Sequence, residues 1–171
     1  MRVGVFGGTF DPIHYGHIDI AERASRLFDE VVVAVYDKPL KTLFFSPEER
    51  IALAKQAVAS NPKIRVTGYS GLTVEFARKI DAQVIVRGLR VFSDFEFEFR
   101  MALANHRLSP DIEYMALITA EEHTFLSSTT VREIASLGGD VSSMVPPFVD
   151  AALKQKLSSM EDQHLPNALR D

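Results

Sequence analysis

The chain has 171 residues, 46% hydrophobic and 25% charged, with a formal net charge of −4 and no cysteine. That fits one domain with a sizeable core, removes disulfide and thiol chemistry, and argues against a general nucleic-acid binder. The first apolar run is too short for a signal peptide and none approaches a membrane span, so a cytoplasmic protein without membrane or nucleic-acid partners is expected.

Strands are expected at 3–6, 31–36, 64–67, 83–86 and 114–118, where β-branched runs are continuous, as in strands buried on both faces. Between them lie helical patterns. Ile20, Ala24 and Leu27 share one face of a first helix, and Ile51, Ala54 and Val58 share one face of a second. The second opens on Ser46, Pro47 and Glu49: a cap, a proline at the first position and a capping-box glutamate. Further helices are expected near 74–80, 93–108 and 128–137, and after Pro147. The alternation predicts an α/β fold: a single-domain, Rossmann-like, doubly wound parallel sheet of about five strands flanked by helices. The domain spans 1–157, and 158–171 reads as a polar, frayed tail.

Such sheets bind ligands at the carboxyl ends of their strands, where strand order reverses. Residues 7–17 read GGTFDPIHYGH and leave the first strand at that end. Gly7 and Gly8 let backbone approach a ligand closely. Gly16 stands where a helix begins, and the free N–H groups of a first turn suit an anionic phosphate. His17 adds a donor there. His14 and His17 are also spaced as a metal pair, which would need further ligands. Neither GxGxxG nor GxxxxGK[ST] occurs, which counts against a dinucleotide dehydrogenase and a Walker-type nucleotidase.

Three further stretches stand out. Arg87-Gly88-Leu89-Arg90 follows the fourth strand and forms a second anion clamp, since a guanidinium fork matches phosphate oxygens. Lys41 lies in the polar loop after the second strand, where composition does not separate it from Lys38. Residues 123–130 read HTFLSSTT, and Ser127, Ser128 and Thr129 crowd a helix start where one hydroxyl suffices as a cap, leaving others for a phosphate. In FSDFEFEF, at 92–99, Phe92, Phe95, Phe99 and Ala102 fall on one helical face. Phe97 is then off the main face and reads as an interface residue.

GGTFDPIHYGH resembles the T/HxGH signature of the nucleotidyltransferase superfamily. Together with Lys41, RGLR, DFEFE and FLSST, in this order and spacing, it resembles the bacterial phosphopantetheine adenylyltransferases over about 1–157. The resemblance implies transfer of AMP from ATP to 4′-phosphopantetheine, giving dephospho-coenzyme A and pyrophosphate. It further implies Mg²⁺ held mainly through the ATP phosphates, a homohexamer, and feedback binding of coenzyme A.

By the same resemblance, His17, Lys41 and Arg90 are catalytic. ATP is met by Gly8, Thr9, Phe10, His14, His17, Gly88, Leu89, Arg90, Glu98, His123, Thr124, Phe125, Leu126, Ser127, Ser128 and Thr129. The acceptor is met by Thr9, Lys41, Leu72, Thr73 and Arg87. Two departures, His14 for a common threonine and Phe6-Gly7-Gly8 for Tyr-Pro-Gly, resemble nicotinate mononucleotide adenylyltransferase, the alternative acceptor specificity. His123 stands where a larger aromatic is common. A non-catalytic nucleotide sensor on the same fold is the alternative from another class.

Overall fold

The computed structural model describes residues 1–38 and 43–164. Five strands, β1 (Val3–Gly8), β2 (Glu30–Tyr36), β3 (Ile64–Tyr69), β4 (Val84–Leu89) and β5 (Glu113–Ile118), form one sheet in the order β3-β2-β1-β4-β5. Every pairing is parallel. Strand order therefore reverses between β1 and β4, which opens a crevice beyond their carboxyl ends.

The helices are α1 (Tyr15–Ala24), α2 (Pro47–Ala57), α3 (Thr73–Lys79), α4 (Phe92–Leu108), α5 (Ser128–Ser136) and α6 (Pro147–His164). Side chains alternate across β2 and divide the core in two. Val31, Val33 and Val35 join Phe6, Ile20, Val131 and Leu153 on one face. Val32 and Ala34 join Val3, Val5, Val74 and Ala77 on the other. The expected start of α2 is present: Ser46 and Glu49 exchange backbone bonds as a capping box, with Pro47 in the first turn. Among the described residues, no helix is long and apolar enough to cross a membrane.

Four local expectations need correction. β4 runs on through Arg87, Gly88 and Leu89, which pair with Ala116, Leu117 and Ile118. RGLR is therefore mostly strand rather than the turn after one. Leu27 lies beyond the end of α1 and is exposed, while Phe28 is buried.

In α4 the buried residue is Glu98, whereas Phe92 is 95% exposed and Phe95 and Phe99 are each 53% exposed. The aromatic face points away from the sheet because the inward positions are filled by groups serving the cleft. Finally, α6 continues to His164 and takes in the first residues of the polar tail; residues 165–171 lie outside the described part.

Candidate active site

A cleft of about 370 Å³ opens at the β1–β4 switch point. Gly8, Thr9, Phe10, His14 and His17 form one wall, Arg87, Gly88, Arg90 and Glu98 another, and His123 with 126–129 the third. A neighbouring cavity of about 120 Å³ shares Gly7, Arg87 and Phe97 with it and is completed by Thr73, Met101, Asn105 and Tyr114.

The start of α1 is built by its two histidines. His14 is the N-cap residue, and its Nδ1 accepts the His17 N–H at 3.4 Å. His17 Nδ1 in turn accepts the His14 N–H at 3.3 Å, and the rings stack with centroids 3.6 Å apart. Burial, with help from Arg90 and His123, pulls the His14 pKa down to about 3. His17 is likewise held well below the ordinary imidazole range, chiefly by burial and then by His14, Arg90 and Arg87. Both rings are therefore neutral near pH 7. An Nδ1 that accepts places the proton on Nε2, so the neutral His17 has one N–H to offer the cleft.

The loop between β1 and α1 is fastened from three directions. The buried carboxylate of Asp11 accepts the N–H groups of Phe44 and Phe45 at 2.8 and 2.9 Å. Arg132 of α5 donates to the Asp11 carbonyl, and Ser128 donates to the Pro12 carbonyl at 2.8 Å. Arg50 of α2, fully buried, donates to the carbonyls of Thr9 and Tyr36 at 2.7 Å each. It also reaches the Phe45 carbonyl at 3.3 Å. Phe10 adopts φ 48°, a left-handed conformation that is costly for a bulky residue. Its buried ring packs edge-on against Phe6 and His17, which holds it there.

The two arginines of RGLR are held differently. Arg87 forks onto Glu98, with Nε 3.1 Å from each carboxylate oxygen and Nη2 2.9 Å from Oε1. Its Nη1 donates to the Gly7 carbonyl at 2.6 Å, crossing from β4 to β1. Burial would lower its pKa, but the Glu98 bonds and charge outweigh that and raise it. Arg90 pairs with Asp94 one helical turn on, at 3.0 Å, and donates to the Leu126 carbonyl at 2.5 Å. It thereby ties β4 to the loop that precedes α5.

Most expected site residues meet at this cleft, including all of the β1–α1 set, Arg87, Gly88, Arg90, Glu98, His123 and 126–129. Thr73 lines the adjoining cavity, and its hydroxyl is 2.9 Å from that of Tyr69. Leu72, Leu89, Thr124 and Phe125 line neither space, and Phe125 is 59% exposed. Lys41 falls outside the described residues.

The α5 hydroxyls are already partnered: Ser127 caps the helix through the Thr130 N–H, Ser128 holds Pro12, and Thr129 meets Arg132. What faces the cleft there is the helix start itself. Phe97, expected on an outer face, lines both spaces. In sequence Asp94 reads with Glu96 and Glu98 as a solvated acidic face, yet it lines the cleft, and Met101 and Asn105, which line the smaller cavity, were not singled out. The four-residue steps from Arg90 to Asp94 and from Phe97 to Met101 to Asn105 would have placed each set on one helical face.

Comparison with known proteins agrees with this geometry. The family model described as cytidylyltransferase-like matches residues 5–134. A protein of Roseiflexus sp. (strain RS-1) named phosphopantetheine adenylyltransferase is 52% identical over 155 residues, covering 91% of this chain and 97% of that protein. Proteins of the same name from Herpetosiphon aurantiacus and Cupriavidus metallidurans are 50% and 52% identical. They cover 95% and 94% of this chain, and 98% and 100% of their own lengths.

A crystal structure from Vibrio parahaemolyticus, provisionally assigned as a nicotinate-nucleotide adenylyltransferase, superposes with a TM-score of 0.68. The match covers 90% of this chain and 99% of that one, and at 23% identity it shows the shared fold alone. The chain belongs to the cytidylyltransferase-like family and, within it, to the phosphopantetheine adenylyltransferases.

Proposed function

We propose that the protein transfers AMP from ATP to 4′-phosphopantetheine, releasing pyrophosphate and forming dephospho-coenzyme A. The observation that carries this reading is the neutral, Nε2-protonated His17 in a cleft it shares with the guanidinium groups of Arg87 and Arg90, in a chain about half identical to relatives of that name. The acceptor phosphate is already an anion, so the reaction needs no general base. The acceptor oxygen attacks the α-phosphorus in line, and the bond to the bridging oxygen of pyrophosphate breaks. The protein's work is positioning and stabilising charge.

In this reading His17 Nε2–H meets the α-phosphate oxygen as negative charge builds there. Arg90 and the first-turn N–H groups of α5 hold the remaining phosphates, while Gly8, Thr9, Phe10, His14, Gly88, Leu89 and His123–Thr129 surround the nucleotide. Glu98, although it lines the same cleft, acts on the acceptor side by holding Arg87. Arg87, Lys41 and Thr9 take the acceptor phosphate, and Leu72 and Thr73 border the pantetheine arm.

Asp94 and Glu98, the carboxylates on the cleft wall, are both engaged by arginines. This donor set suits Mg²⁺ that arrives on the triphosphate and screens its charge, rather than an ion held in a protein cage. Coenzyme A carries the same pantetheine arm and competes for the same space as feedback. The outward aromatic row of α4 suits self-association, read as a hexamer, and the enzyme works in the cytoplasm.

Pyrophosphate release with ATP and phosphopantetheine tests the function. Turnover is expected with that acceptor and little or none with nicotinate mononucleotide. Release that favours nicotinate mononucleotide overturns the acceptor assignment, and nucleotide binding without any turnover returns the sensor reading.

A further inference from the structure

Arg87 has five N–H groups. Two point at Glu98 and one at the Gly7 carbonyl, which leaves one each on Nη1 and Nη2 for an incoming anion. The direction of those two depends on the plane in which Glu98 holds the guanidinium. Glu98 in turn is gripped from behind: the Tyr114 hydroxyl of β5 donates to Oε2, the oxygen that also receives Arg87 Nε. Tyr114 and Arg87 lie on adjacent strands and both line the smaller cavity. The chain of contacts runs from Tyr114 through Glu98 to Arg87 and ends at Gly7, spanning β5, α4, β4 and β1.

We propose that Tyr114 is a positioning residue for the acceptor: its hydroxyl fixes the Glu98 carboxylate, which aims the two free N–H groups of Arg87 at the acceptor phosphate. The same bond keeps the Glu98 charge occupied, so a dianionic phosphate approaching Arg87 meets less repulsion. The phenol suits this because burial and the Glu98 contact hold its pKa well above the usual range, so it remains a donor. This role rests on the acceptor reading above and adds to it a residue that acts on the acceptor phosphate through Glu98 and Arg87.

Steady-state kinetics of Tyr114→Phe, with ATP and phosphopantetheine varied separately, tests the role. Because the lost bond reaches the phosphate only through Glu98 and Arg87, its effect there should be that of an ordinary hydrogen bond, a rise of about three- to tenfold in KM for phosphopantetheine. KM for ATP should stay within about twofold, and the unfolding midpoint near wild type. In an Arg87→Lys background, where no fork onto Glu98 exists, the same change should add nothing further to the acceptor KM.

An unchanged acceptor KM, equal rises for both substrates, or full additivity in the lysine background overturns the proposal. Should Tyr114→Phe fold poorly, Glu98→Gln must reproduce the split between the two KM values, and its absence has the same force. A wild-type protein that does not use phosphopantetheine strikes the functional reading instead. The relay is then read by calorimetric titration with inorganic phosphate, where Tyr114→Phe must still weaken binding, and unchanged affinity overturns it.

Discussion

His14 and His17 cap each other: each imidazole Nδ1 accepts the other's backbone N–H, and the rings stack at 3.6 Å. The Nε2 proton of His17 is thereby placed by the geometry of a helix start rather than by a neighbouring carboxylate.

In the proposed mechanism, His17→Ala removes a donor that strengthens as charge develops on the α-phosphate. Its kcat should fall by about 10²- to 10³-fold, with KM for ATP changing far less. Pre-steady-state and steady-state pyrophosphate release report both. Equal losses in ATP binding and turnover would make His17 a ground-state contact.

Stability should fall in mild acid through this pair. The unfolded chain protonates His14 as pH drops through about 6.5, whereas the folded chain resists until about 3. The depressed folded value means stability is fully present above 6.5 and is lost progressively across that window, with His17 acting in the same direction. His14→Thr keeps a capping oxygen and removes one titrating ring. Urea unfolding at a series of pH values should give a shallower acid slope for the variant, and an identical slope would sink the assignment.

Arg50→Met should destabilise the fold by about 3 kcal/mol, because it strips charge-assisted bonds from the carbonyls of Thr9, Tyr36 and Phe45. Denaturant unfolding measures the loss. A change below about 1 kcal/mol would mean that water replaces the guanidinium without cost.

Phe95→Glu, on the outward row of α4, should shift the protein to smaller species in sedimentation while leaving the secondary structure unchanged. An undisturbed assembly places the contact surface elsewhere.

Strands, order of elements and the β1–α1 loop were legible because their signals are local: β-branched runs, paired glycines, a capping box. What escaped were contacts set by tertiary structure. Phe92, Phe95 and Phe99 read as a core stripe, yet the inward side of α4 is Glu98, whose charge is matched only by Arg87 on another element. Arg50, in the run Pro-Glu-Glu-Arg, reads as a solvated helix start, and nothing in its own segment announces the strand-end carbonyls it meets. RGLR shows its chemistry in sequence, but it lies mostly within β4 rather than after the strand. Within the strand, the Ile20 side chain lies 3.3 Å from where a Cβ on Gly88 would stand, so a larger residue there would press on α1.

The fastening of Asp11 carries a consequence for biosynthesis. Its carbonyl is held by Arg132, 121 residues later in the chain, and Pro12 by Ser128, 116 residues later. The β1–α1 loop thus leaves the ribosome more than a hundred residues before the two side chains that fasten it from α5. A growing polypeptide can pair β1 with β2 early, but it presents no finished cleft at the β1–β4 switch point until α5 has emerged and docked.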